Sequence, residues 1–432
     1  MAGNLNKEKR CSYSCKITQI GTPFCILMKI DRVLRGKQWL ASLQVPTNYA
    51  NYKERKYVWD IIGLFLATRL MLVLVTYFGS ILLTQEKYSG TPVAITTLLG
   101  SWLQWDAAVY VRIAQFGYLP PFDFAFFPLF PMLIALLAHL LPGPWNYLAA
   151  GMLISNVALL GALFVIYQLA IDAAGELMAR RTLLYLCVFP TAFFFFAAYN
   201  ESLFILLTAG TFLALQRQCW LLAGLLGGLA ALTRSTGVLL VIPYLYQLWS
   251  VRASLAGWRT RAQVLLPIIG IPLGTALYAL YCWQMTGNAL LFVSVQYHWS
   301  HQLTWPWQGI WQALFEFFWN QPFGSFNQVH VLLDLSATLA FLLLLIAGRK
   351  RLPPIYSIWL GFLFASILLS STLAQHDSLI SNQRFVLEMF PAFITLAVLG
   401  AEHPRLHQTI LWAFPALLAT LSLLFVMGKW MV

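Results

Sequence analysis

Apolar residues run along this chain in long blocks separated by short polar breaks. The blocks fall at about 58–84, 124–141, 147–171, 182–198, 202–217, 219–250, 264–284, 328–347, 355–373, 386–401 and 409–428. Several approach the roughly 20 residues that a helix needs to cross a bilayer core. The 219–250 block is too long for one straight pass and carries Thr233-Arg234-Ser235-Thr236-Gly237 at its centre, so it predicts two passes joined by a tight turn. The pattern predicts an all-α polytopic membrane helix bundle with about twelve transmembrane segments, within a range of 11–13.

Composition agrees. Only 10% of the 432 residues are charged and 60% are hydrophobic, against about 25% charged in a soluble domain. So few charges cannot cover a water-facing surface of this size, and lipid is the expected solvent. Residues 1–57 hold eleven Lys and Arg against three acids. Directly before an apolar span, this basic tail reads as a positive-inside determinant rather than a nucleic-acid site. It predicts a cytoplasmic tail over 1–57 and a membrane domain over 58–432. Residues 1–20 lack an apolar core and a cleavage site, so the 58–84 block is expected to be an uncleaved anchor. The six cysteines show no metal or redox spacing.

Charge orients the rest. Arg252, Arg259 and Arg261, then Arg349-Lys350-Arg351, then Arg405 mark cytoplasmic loops, and no Lys or Arg lies between Arg261 and Arg349. The expected external loops are 85–123, 285–327 and 374–384. The 285–327 loop, with five Trp together with His298 and His301, suits a segment lying on the outer interface. Arg180-Arg181 conflicts with this scheme. Counting passes places it outside unless 124–141 or 147–171 fails to cross completely.

Ionisable residues within or beside lipid are costly and are functional candidates by default. Trp105-Asp106 through Tyr110 to Gly117-Tyr118 predicts a short helix with Asp106 and Tyr110 on one face. It reads either as a surface helix capped by Asp106 or as the holder of a general base among Trp105, Phe126 and Phe127. Asn200 and Glu201 open the next helix, as a simple start or as binding residues. Arg234 sits among hydroxyls in its turn, either snorkelling to head groups or clamping a phosphate. Arg384 is the only basic residue of its expected loop; it either pairs with Glu388 at i, i+4 or binds an anion. His298 and His301 are candidate loop contacts and only a weak metal signal. No cofactor is expected; a divalent metal is not indicated, though the sequence does not exclude one.

The ordered set formed by Trp105-Asp106 to Gly117-Tyr118, Phe126-Phe127-Pro128, Phe189-Pro190-Thr191 to Tyr199-Asn200-Glu201-Ser202, Leu232 to Gly237, and Arg384-Phe385 to Pro391 resembles the PIG-V-type mannosyltransferases. The likeness covers about residues 58–400. Val109 and Phe385 stand where that family often carries a polar residue and a Tyr.

The resemblance implies a GT-C-like fold, a polyprenyl-phosphate sugar donor (mannose the expected sugar), a glycolipid or glycan acceptor, and a site at the outer membrane face. It places the central acidic residue at Asp106, with Trp105, Tyr110, Asn200, Glu201, Arg234 and Arg384 as substrate-binding candidates. A single displacement assisted by one base implies inversion. Membrane lipids are the other expected partners. The multi-pass protein is expected in the cell membrane of a bacterium or the endoplasmic reticulum of a eukaryote. A transporter or lipid flippase is the main rival, because it too carries buried charge and broken helices; a non-catalytic scaffold subunit is another.

Overall fold

The computed structural model describes residues 47–84, 92–143, 145–255, 257–299, 302–372 and 377–430. The chain divides into two units, 1–59 and 60–432; in the first, the described residues are helical from Thr47. The second is an all-α bundle whose one sheet among the described residues is a two-residue pair, Gln302-Leu303 against Ser370-Ser371. This is a multi-pass membrane protein.

Five helices are long and apolar enough to cross a bilayer: Tyr57–Leu83, Asn146–Ala174, Trp258–Thr286, Phe326–Gly348 and Pro404–Val426. A sixth candidate is a pair, Asn382–Glu388 and Phe390–Glu402, bent by 88°. The other apolar helices are shorter, at 10–17 residues: Leu129–Ala138, Glu201–Gln216, Trp220–Ala231, Ser235–Val251 and Pro354–Leu368. The sequence blocks are therefore helical, but many are shorter than their apolar runs. Proline gives one reason. The 182–198 block ends its helix at Val188, just before Phe189-Pro190, and finishes in a buried 3₁₀ turn over Ala192–Phe195. A residue before proline is pushed out of the α region.

The same shortness bears on the segments that precede Arg180-Arg181. Arg180 pairs with Asp60, 2.6 Å away at the start of the first span, and with Glu176 at 3.0 Å. The Leu129–Ala138 helix has only ten residues, about 15 Å of rise or half a hydrocarbon core, too short to cross by itself.

One group of charged and polar pairs lies at the end away from the converging helices. Arg217 pairs with Asp172 at 3.0 Å and Arg351 with Glu402 at 2.8 Å, while the Tyr185 hydroxyl meets His407 Nδ1 at 2.7 Å. Helices leave this end and converge elsewhere. Glu201 begins the helix that finishes beside Arg217, and Glu388 immediately precedes the one that finishes at Glu402. The converging ends form the site.

Close helix packing sets one wall. Gly228 of Trp220–Ala231 faces Gly270 and Gly274 of the next long helix. A Cβ built on Gly228 would lie 2.4 Å from the Gly270 carbonyl oxygen. Small residues four apart on both helices allow this backbone approach, and the approach fixes the start of the turn that carries Arg234.

Candidate active site

The predicted 219–250 hairpin is present: Trp220–Ala231 ends, Arg234 is extended, and Ser235 opens a 3₁₀ helix. The short helix Asp106–Phe116 is also present, ended by Gly117 at φ 80°. Asp106 is its first residue and not its cap. The capping position is Trp105, held at φ 47°, a strained conformation for a bulky side chain. Ser381, at φ 68°, precedes the Asn382–Phe385 helix in the same way. Both strained residues border one cavity of about 770 Å³.

That cavity collects distant parts of the sequence. Trp105, Asp106, Tyr110, Asn200, Arg234 and Arg384 all line it, and Glu201 is buried behind them, joined to both arginines. Arg384 Nη1 donates to Asp106 Oδ2 at 2.7 Å, and its Nε lies 3.5 Å from Glu201 Oε1. Arg234 Nη1 donates to Glu201 Oε1 and to Asn200 Oδ1, each at 3.1 Å, and lies 2.6 Å from Glu388 Oε1. Asn200 caps its helix by position only. Its side-chain amide instead donates to the Thr233 carbonyl at 2.9 Å, tying the two turns together.

The expected i, i+4 pair of Arg384 with Glu388 is replaced by this longer-range exchange: Arg384 takes Asp106, and Glu388 takes Arg234. The segment bends by 88° just after Glu388, between the two helices, so the side chains do not follow one straight helical face. The Phe385 ring lies under both guanidiniums, 5.3 Å from that of Arg234 and 5.1 Å from that of Arg384.

Burial separates the carboxylates. The Glu201 and Glu388 side chains are 1% and 2% exposed, while that of Asp106 is 26% exposed at the cavity surface. Three carboxylates share two guanidiniums; Asp106 and Glu388 both line the cavity, and Asp106 is much the more exposed of the two. Trp105 Nε1 and Thr236 Oγ1 are buried and make no hydrogen bond among the described residues. Such atoms are costly to leave unpaired, and at a cavity they mark places for ligand hydroxyls. Tyr110 packs edge-on between Phe126 and Phe130, with ring centroids 5.1 and 5.0 Å away.

Sequence reasoning missed the far wall, formed by Ser366, Ser378, Ser381, Asn382 and Trp430. Single serines at helix ends carry no pattern. Trp430 meets Trp105 at 5.2 Å, a contact that chain order could not show. The His298 side chain and His301 lie outside the described residues.

The family model Mannosyltransferase (PIG-V) matches residues 57–280, just over half of the chain. That stretch contains Asp106, Asn200, Glu201 and Arg234, while Arg384 and Glu388 lie beyond it. The GPI alpha-1,6-mannosyltransferase 2 of Rattus norvegicus is 32% identical over 220 residues, covering 49% of this chain and 43% of that protein. The Homo sapiens protein of the same name is 33% identical over 152 residues, covering 33% of this chain and 31% of its own. The matches thus span less than half the length of these relatives. Among solved structures, ArnT from Cupriavidus metallidurans bound to undecaprenyl phosphate aligns with 81% of this chain and 62% of its own, at TM-score 0.48 and 14% identity. On the strength of the family match, this chain belongs to the PIG-V mannosyltransferase family.

Proposed function

We propose that this chain is a membrane mannosyltransferase that moves mannose from a polyprenyl-phosphate carrier to a hydroxyl of a glycolipid or glycan, with inversion. The observation that carries the proposal is the Asp106–Arg384 contact of 2.7 Å at the wall of a large cavity. It sets a reachable carboxylate beside a fixed cation, the two groups that transfer requires.

The acceptor oxygen attacks the anomeric carbon while its proton passes to Asp106. The bond from that carbon to the phosphate oxygen breaks, and the electron pair leaves on the polyprenyl phosphate. Arg384 and Arg234 face that developing charge, and their pre-paid positions supply the stabilisation that a bulk solvent would have to reorganise to give. In this scheme the guanidiniums do the neutralising and no metal is assigned to the transfer step. Trp105 Nε1 and Thr236 Oγ1, buried and without a hydrogen bond among the described residues, are ready partners for sugar hydroxyls. Phe292 and Val293 give the cavity an apolar wall for the start of the carrier chain.

The relatives' name, GPI alpha-1,6-mannosyltransferase 2, makes a GPI precursor with a free 6-hydroxyl the first acceptor to try. The site end lies opposite the Arg217, Arg351 and Arg180 end, so the positive-inside rule puts the site on the non-cytoplasmic face. That face is lumenal in the endoplasmic reticulum and external in a bacterial membrane. A transporter would bind the same carrier and translocate it. Labelled polyprenyl-phosphate mannose, given to proteoliposomes with acceptor, separates the two. Covalent appearance of label in the acceptor supports transfer. Carrier movement between leaflets with no labelled acceptor overturns it.

A further inference from the structure

A second buried cluster lies beside the Arg384 segment and takes no part in the transfer scheme. His330 and Asp334 stand one turn apart on the Phe326–Gly348 helix, and Asp377 enters from the chain that leads to Ser381. They are 7%, 0% and 5% exposed. His330 Nδ1 lies 2.8 Å from Asp377 Oδ2 and 3.7 Å from Asp334 Oδ2. One ligand atom from each of the three residues falls within 4.8 Å of the other two.

The oxygens are divided by task. Asp334 Oδ1 accepts from the Gln383 amide at 2.8 Å, and Asp377 Oδ1 accepts from the Leu379 amide at 2.9 Å. The remaining oxygens turn toward the imidazole, and Asp334 Oδ2, although fully buried, has no hydrogen bond among the described residues. His330 Nε2 is likewise buried and makes no hydrogen bond among the described residues.

We propose that His330, Asp334 and Asp377 bind one divalent transition-metal ion, Zn²⁺ or Mn²⁺. One imidazole nitrogen with two carboxylate oxygens suits these ions. Metal–ligand bonds of about 2.0–2.2 Å in tetrahedral geometry put ligand atoms roughly 3.3–3.6 Å apart, and the contacts of 2.8 and 3.7 Å bracket that separation. The ion has a positioning role. The two carboxylates hold the amides of Leu379 and Gln383, on either side of the strained Ser381 and next to Arg384.

The test uses the purified full chain in detergent, stripped with EDTA and then given Zn²⁺ alone or Mn²⁺ alone. Elemental analysis should find about one ion per chain, and reloading should reverse an EDTA-induced fall in melting temperature. Asp334→Asn and His330→Gln should weaken binding at least about tenfold and make melting insensitive to EDTA. If a variant fails to fold, the stripping and reloading of the wild type still decides. Asp106→Asn should keep the ion, which separates this proposal from the transferase reading. No ion above background with either salt, or equal retention by Asp334→Asn, overturns it.

Discussion

Arg384 Nη1 lies 2.7 Å from Asp106 Oδ2, although 278 positions separate the two residues in the chain. The pair joins the Asp106–Phe116 helix to the bent segment that runs from Asn382 to Glu402. Removing only the cation leaves Asp106 and the buried Glu201 short of a partner.

Arg384→Gln should therefore destabilise the protein by about 3 kcal/mol, the lower part of the range for breaking a buried pair, because Asp106 is partly solvated. Adding Asp106→Asn to Arg384→Gln should recover part of that loss but none of the transfer activity. Chemical unfolding of the two single variants and the double variant gives the coupling directly. Strict additivity would mean that the contact carries no energy.

Glu388→Gln should have the opposite effect on anion affinity. It removes one of three carboxylates facing two guanidiniums, while Arg234 keeps Glu201 and Asn200. Inhibition by polyprenyl phosphate itself should tighten by about tenfold, or about 1.4 kcal/mol. Product-inhibition constants for wild type and variant check this, and unchanged or weaker inhibition would contradict it.

The glycine contact makes a stability prediction away from the site. Gly228→Ala puts a Cβ against the Gly270 carbonyl oxygen and should cost about 1–3 kcal/mol. Gly63→Ala, with nothing within 4 Å of the new Cβ, should be neutral or stabilise by about 0.5–1 kcal/mol. Thermal melts of the two variants should shift in these different senses.

Orientation can be read with single cysteines. Arg349→Cys should react with an impermeant thiol reagent from the cytoplasmic side, and Gln115→Cys from the other. Both positions are exposed, at the basic end and at the site end. Labelling of both from one side would refute the arrangement.

Much of this site was legible in the sequence because membranes make charge conspicuous. Glu201, Arg234 and Arg384 each interrupt or border an apolar block, Asp106 lies in a loop between two of them, and all four meet in space. Their pairing was not legible. Local spacing favours Arg384 with Glu388, and only the bend after Glu388 and the approach of the Asp106 helix redirect both. The pass count was blurred for a similar reason: apolarity reports burial, and the fully buried Phe193, Phe194 and Phe195 are apolar without extending a spanning helix. Asp334 carried a signal of its own, an acid deep in an apolar run one turn after His330, but its partner Asp377 lies 43 residues further on, beyond local spacing.

The most direct measurement compares the transfer rate of purified wild type and Asp106→Asn, with polyprenyl-phosphate mannose as donor and melting temperature as the control for folding. Loss of the base should lower the rate by about 10²–10⁴-fold while the variant stays folded and still binds polyprenyl phosphate. A folded Asp106→Asn protein that transfers mannose at the wild-type rate would contradict the role assigned to Asp106.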